Sequence, residues 1–340
     1  MSLGNPDRPS GAHNATPQVP TLRLLRGGFG FGFRTLGMLP VLLLLCLGFY
    51  LLNDRFASWQ NLSIITQQAS INAVLAAGMT FVILTSGIDL SVGSILAASA
   101  MVAVIVSKIP ELGMLGVPAG LATGLACGAI NGALIALIKL PPFIVTLGTL
   151  TAVRGFARLL GRDQTVINTD LPFAFLGNGR VFGVPVLVII AMAVIVVSWI
   201  ILRRTVLGIH VYSVGGNPGG ARLAGIRVWA ILLFVYSISG LCAGIGGVMS
   251  AGRLYAANGI QLGQSYELDA IAAVILGGTS FVGGIGSIWG TLIGALIIAV
   301  MSNGLILTGV PDIWQYIVKG LVIIGAVTLD RYRQSEGART

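Results

Sequence analysis

Apolar residues along this chain come in runs of about twenty, parted by short polar or charged segments, and a helix crossing a bilayer's ~30 Å hydrocarbon core needs roughly that many. Ten such runs are legible: residues 36–53, 67–86, 88–107, 114–138, 142–160, 184–202, 228–250, 268–283, 287–308 and 312–329. They predict an all-α polytopic membrane protein of about ten transmembrane helices. The second, fifth and eighth runs are short or hold several polar residues, so each is a candidate re-entrant segment. Residues 1–34 read as a cytoplasmic tail whose first part, polar and proline-bearing, lacks any period, residues 35–330 as the transmembrane domain, and residues 331–340 as a second cytoplasmic tail.

Composition agrees: 55% of residues are hydrophobic and 9% charged, where a soluble domain carries about 25% charged. The 48 glycines suit helices whose backbones approach closely. The net charge of +9 marks topology rather than a nucleic-acid surface. With the amino terminus inside, the inner segments hold twelve Arg and Lys and the outer ones seven, which places both termini in the cytoplasm. The five tryptophans fall near run ends. Cys46, Cys127 and Cys242 each lie inside an apolar run and read as packing residues.

No nucleotide-binding glycine loop, HExxH or CxxC occurs, and His13 and His210 lie in segments expected outside the membrane. No catalytic residue, metal site or cofactor is expected, so uphill movement of a solute would draw on an ion gradient or a partner. Acids within reach of the spans, Asp89, Glu267, Asp269 and Asp312, stand near predicted ends, which disfavours ion coupling. Glu267 and Asp269 fit first-turn acids on a helix dipole. In "TSGIDLSVGS", Thr85–Ser94, Asp89 stands at a break between two apolar runs, with Gly87 for the turn and the carboxylate as cap of a helix beginning at Leu90. "FVILTSGIDLSVGSILAASA" from Phe81 resembles "AVILGGTSFVGGIGSIWGTL" from Ala273, an internal repeat whose two breaks the ten-run count puts on one side. Between residues 203 and 227, Asn217 and Pro218 offer the N-cap and first residue of a short helix.

"ILTSGIDLSVGS", "GGNPGGARLAGIRV", "YELDAIAAVILGGTSFVGGIGSIWGTLIGALI" and "SNGLILTGVPDIWQYIVKG" resemble, in this order, segments of the ribose-type permeases of bacterial ABC sugar importers. The resemblance covers nearly all of residues 60–330. It implies a multi-pass permease of the bacterial inner membrane with the ABC importer permease fold, working as a dimer, expected to be a homodimer. It further implies a cytoplasmic ATPase subunit, a periplasmic sugar-binding protein, and no nucleic-acid partner. Ribose is the first expectation for the cargo; xylose, galactose, arabinose and autoinducer permeases are similar enough to leave the solute open. In the family's coupling loop, Gly216, Asn217, Ala221, Arg222, Leu223, Gly225 and Ile226 would meet the ATPase. Gly219 and Gly220 stand where the family commonly has Glu and Ala, and each interior glycine costs a helix about 1 kcal/mol relative to Ala.

Sugars are neutral polyols, so a pathway for them needs hydroxyls and amides more than fixed charge. The candidates for pathway or gate are Asn72, Ser86, Asp89, Ser91, Asn131, Thr146, Thr279, Ser280 and Asn303, each of which could instead be a hydrogen bond between helices. Arg162, Asp163 and Arg180 are candidate contacts for the binding protein, or solvated loop charges. Competing readings are a branched-chain amino acid or nucleoside importer permease of similar fold, an ion-coupled transporter or channel, and an intramembrane enzyme.

Overall fold

The computed structural model describes residues 38–337; most of the expected first tail and the chain's last three residues lie outside the described residues. Among the described residues thirteen α-helices follow one another: α1 (Leu39–Leu52), α2 (Trp59–Leu84), α3 (Val92–Ser107), α4 (Gly116–Ala136), α5 (Pro142–Gly161), α6 (Phe175–Asn178), α7 (Val186–Arg204), α8 (Val206–Gly216), α9 (Pro218–Leu223), α10 (Val228–Leu254), α11 (Tyr266–Leu276), α12 (Ile288–Leu307) and α13 (Asp312–Gly337). Each of the ten apolar runs contains a helix. Six of these, α2, α4, α5, α7, α10 and α12, are long and apolar enough to cross a membrane, against about ten expected. The eighth run departs most, because its helix α11 stops after 11 residues and so reaches about 16 Å, half of a hydrocarbon core. The last helix continues over residues 331–337, where a tail was expected.

α2 is walled by α7, α10, α11 and α12 and forms the centre. From Ala69 to Leu84 it is buried on every face and mostly apolar, as an enclosed helix requires. Some of the polar residues that made this run doubtful as a span bond to the helix's own backbone. Ser70 donates to Thr66 O (2.7 Å) and Thr80 to Ala76 O (2.7 Å), with the Thr80 hydroxyl 2.8 Å from that of Thr291 on α12.

The tightest crossing is α4 on α10. α4 carries a glycine at every fourth position from Gly116 to Gly132, all buried on one face. A Cβ at Gly124 would come within 2.4 Å of Gly240 O, and one at Gly128 within 2.4 Å of Tyr236 O. The two backbones therefore touch, a packing mode that works where lipid offers no hydrophobic drive between helices. Two short antiparallel pairs complete the structure. Val166–Ile167 pairs with Ala256–Ala257, and Arg180–Val181 with Val184–Pro185 in a hairpin tipped by Phe182 and Gly183.

α2 also separates two ends of the molecule. Ser63, near its start, accepts from Arg180 (3.3 Å), whereas Leu84, its last residue, meets the end of α8 and the segment that follows α11. At 1.5 Å per residue these points are about 31 Å apart.

Candidate functional site

α2 and α11 end in the same way. Beyond Leu84, the Ser86 amide donates to Ile83 O (2.9 Å) and that of Gly87 to Val82 O (3.1 Å); beyond Leu276, Gly278 donates to Ile275 O (2.9 Å) and Thr279 to Val274 O (3.2 Å). This pair of bonds, closed by a left-handed residue at Ser86 (φ 62°) or Gly278 (φ 84°), is the Schellman ending that satisfies carbonyls left over at a helix C-terminus. The sequence repeat is thus a repeat of geometry. The turn expected from Gly87 is made by Ser86 instead, and Gly87 is needed for space: a Cβ there would lie 2.4 Å from the Tyr236 hydroxyl.

The two breaks touch, at the same end of the molecule, as the count of runs implied. Gly284 donates its amide to Leu84 O (2.9 Å), and the Ser86 hydroxyl reaches Val282 O. α8 closes on both breaks. Tyr212 donates to Gly286 O (3.0 Å), and Gly215 presses so closely on Leu84 O that a Cβ would sit 1.7 Å from it. The first half of the segment 203–227 is therefore an apolar helix packed on the breaks.

Above the first break lies a buried polar network. Asp89 is fully buried; its Oδ1 accepts the Ser91 amide (3.0 Å) and the Ser91 hydroxyl, and its Oδ2 accepts the Ser239 hydroxyl of α10 (2.8 Å). Asn131 of α4 donates to Ser91 Oγ (2.9 Å) and accepts from Thr149 of α5 (2.6 Å). The expected capping role thus takes a different form. α3 begins at Val92, not Leu90, with Ser91 at the cap position. Asp89, two residues earlier, holds the approach to the helix and ties it to α10.

Seven of the nine pathway candidates gather around the breaks. Ser86, Asp89, Ser91 and Asn131 are placed above. Thr146 donates to Ile88 O (3.3 Å) and Pro142 O (3.0 Å). Thr279 is buried with no partner for its hydroxyl among the described residues, and Ser280 Oγ accepts the Val282 amide (3.2 Å). Asn72 lies buried on α2, about three turns from the helix end. Asn303 is at the far end, donating to Asn61 Oδ1 (3.0 Å) and so joining α12 to α2. Thr149 also borders an apolar cleft of about 410 Å³ between α4 and α5.

α9 leaves α8 through one residue. Asn217 closes α8 and opens α9, its side chain accepting the Gly220 amide (2.8 Å) with Pro218 at the first position, as the sequence suggested. The helix is six residues long, in keeping with its two interior glycines. Gly225 (φ 81°) ends it. Ala221 is buried and Ile226 half-buried, while Gly216, Arg222 and Gly225 are exposed and Leu223 is 93% exposed. The short helix thus projects an arginine and a leucine outward.

At the other end, Arg162, Asp163 and Arg180 are exposed. Arg158 donates to both Asp163 carboxylate oxygens (2.7 and 3.2 Å) and holds that acid below the usual carboxylate range. Phe182, at the hairpin tip beside Arg180, is wholly exposed.

Three features escaped sequence reasoning. Ser239 gave no signal, being one serine in an apolar run. Glu267 and Asp269 do sit in the first turn of α11, but Asp269 also pairs with Lys319 of α13 at 3.0 Å. A lysine inside an apolar run was itself the clue that an acid must face it. Arg154 of α5 donates to the carbonyls of Gly259 and Gly263 (3.2 and 3.3 Å) and to that of Leu262, fixing the loop ahead of α11.

Six helices long and apolar enough to cross a membrane are the architecture of a multi-pass membrane protein. The chain belongs to the family described as branched-chain amino acid transport system / permease component, which matches residues 61–327. It is 45% identical over 288 residues to the ribose import permease protein of Escherichia coli (strain K12), covering 83% of this chain and 89% of that protein. The ribose import permease protein of Bacillus subtilis (strain 168) is 43% identical over 289 residues, covering 84% and 89%. The D-allose transport system permease protein of E. coli (strain K12) is 41% identical over 282 residues, covering 82% and 85%. No solved structure matches.

Proposed function

We propose that this chain is the permease subunit of an ATP-driven importer that carries a monosaccharide, ribose first, across the inner membrane of a bacterium. The observation that carries the reading is the 45% identity to a ribose import permease protein over 83% of the chain. The geometry supports the same division of labour. α9 offers Arg222 and Leu223 to a cytoplasmic ATPase subunit that supplies the nucleotide chemistry. At the opposite end of α2, the region carrying Arg162, Asp163, Arg180 and Phe182 faces the periplasmic sugar-binding protein. Both termini are cytoplasmic, and two copies pair in the membrane. Solute crosses near the breaks, where Ser91, Asn131, Thr146, Thr279 and Ser280 concentrate hydroxyl and amide groups.

The test is uptake of labelled ribose by vesicles reconstituted with permease, ATPase and binding protein, with allose, fructose and galactose as competitors. Uptake is expected to need all three proteins and ATP. Uptake by the permease alone, responding to a proton or sodium gradient, would overturn the reading.

A further inference from the structure

Two side chains of α2 stand apart from the other buried polar residues of that helix. Asn61, Ser70 and Thr80 all bond within the protein. Asn72 is 9% exposed, yet its carboxamide has no hydrogen-bond partner among the described residues. Gln68 Oε1 is buried and unpartnered as well. Four positions apart, the two side chains lie one above the other on a single face. They stand about 18 and 24 Å along the helix from Leu84, near the middle of a 26-residue span, where lipid offers no hydrogen bonds. A buried carboxamide without a partner costs stability, so two on adjacent turns call for a partner that comes from outside the fold.

This face opens toward one end of the molecule. Residues 69–84 are all buried, whereas Thr66, Gln67 and Gln68 are half-buried, so access comes from the Ser63 end, opposite the breaks. Asn61, seven positions before Gln68, extends the row of carboxamides and accepts from Asn303 of α12, whose own Oδ1 is buried and unpartnered. Beyond Asn72 the face turns apolar. Leu75 and Met79 are fully buried, and Leu75 closes on α10, where a Cβ at Gly246 would lie 3.5 Å from its Cδ2. α2 carries no charged side chain. Carboxamides both donate and accept, which suits the hydroxyls of a neutral polyol, whereas an ion in the membrane interior is met by charged ligands.

We propose that Gln68 and Asn72 form a contact site for the monosaccharide in the half of the permease nearer Ser63, met before the sugar reaches the breaks. The proposal rests on the reading of the chain as a monosaccharide permease. The two carboxamides exchange hydrogen bonds with sugar hydroxyls in place of the water those hydroxyls leave behind. Leu75 and Met79 are the apolar floor of the site, between Asn72 and the first break.

The experiment uses the complete complex of permease, ATPase and binding protein in vesicles. Gln68→Met combined with Asn72→Leu removes both carboxamides and keeps side chains of similar bulk. Uptake of labelled ribose is expected to fall at least five-fold while the ATPase co-purifies as with the parent. Thermal unfolding in detergent is expected at the parent's temperature or above, because neither amide loses a partner within the protein. Gln68→Cys is expected to react with a small charged thiol reagent added in water at least five-fold faster than the parent, whose own cysteines are Cys46, Cys127 and Cys242. A double variant that takes up ribose within two-fold of the parent overturns the site. So does one that loses uptake together with thermal stability, since the carboxamides would then hold helices rather than sugar. Gln68→Cys reacting no faster than the parent overturns it too, by denying the site access to water. A parent complex that takes up no ribose overturns the monosaccharide reading instead, so the two failures are distinguishable.

Discussion

Replacing Asp89 separates what its carboxylate does as an acceptor from what it does as a charge. In Asp89→Ala three donors lose their partner: the Ser91 amide, the Ser91 hydroxyl and the Ser239 hydroxyl. The two hydroxyls can rotate toward carbonyls on their own segments, but the amide is fixed and buried. An unsatisfied buried donor costs about 1–3 kcal/mol. With a partial loss from each hydroxyl, the expected destabilisation is about 2–4 kcal/mol. Asp89→Asn keeps one carbonyl oxygen for the Ser91 amide and hydroxyl, and its amide nitrogen can donate to Ser239 Oγ, so the expected change is below about 1 kcal/mol. Thermal unfolding in detergent, followed by loss of the monodisperse peak in size exclusion, reads stability; ribose uptake in vesicles reads function. Asp89→Ala should unfold at clearly lower temperature and transport little, while Asp89→Asn should match the parent in both. An Asp89→Asn variant that is as stable as the parent yet transport-dead would refute the reasoning, because the charge and not the hydrogen bonds would then matter.

Exchanging Arg222 and Leu223 together for Asp should release the ATPase from membranes without changing permease yield, since both side chains are exposed; unchanged co-purification would count against the contact assignment. Gly128→Leu should wedge α4 from α10, because even a Cβ there meets Tyr236 O at 2.4 Å; a loss of at least about 1–3 kcal/mol is expected for overpacking, seen as reduced thermal stability in detergent. Lys319→Met leaves Asp269 without its partner, and removing one member of a fully buried pair costs about 3–5 kcal/mol. Here the loss should be smaller, since the Lys319 side chain is 22% exposed, and the added change Asp269→Leu should restore much of it in the same assay.

Much of the architecture was legible because transmembrane helices announce themselves by length and apolarity. All ten runs hold helices, and the end of α2 at Leu84 and of α11 at Leu276 follows the sequence repeat residue for residue. Asn217 and Pro218 opened α9 as their local chemistry dictates. The shortness of α11 was harder to see. Thr279, Ser280 and the glycines between them and Ile288 mark a break, but only packing against Leu84 and α8 shows that the apolar residues after Leu276 belong to a turn. The every-fourth glycine pattern of α4 was open to inspection, yet its partner on α10 was not, because a glycine face declares closeness without naming what comes close.

By itself the sequence determined the class of protein, the order of its helices, the position of both breaks and the short helix at Asn217. These depend on local quantities: apolar length against bilayer thickness, cap chemistry and the conformations that Gly and Pro permit. Only the tertiary structure decided which polar groups meet. Asp89 with Ser239, Asn131 with Thr149, Lys319 with Asp269, and Ser86 with Gly215 and Val282 join residues up to 196 positions apart. A hydrogen bond acts over about 3 Å, and such proximity is set by how helices pack, not by the run of residues along the chain.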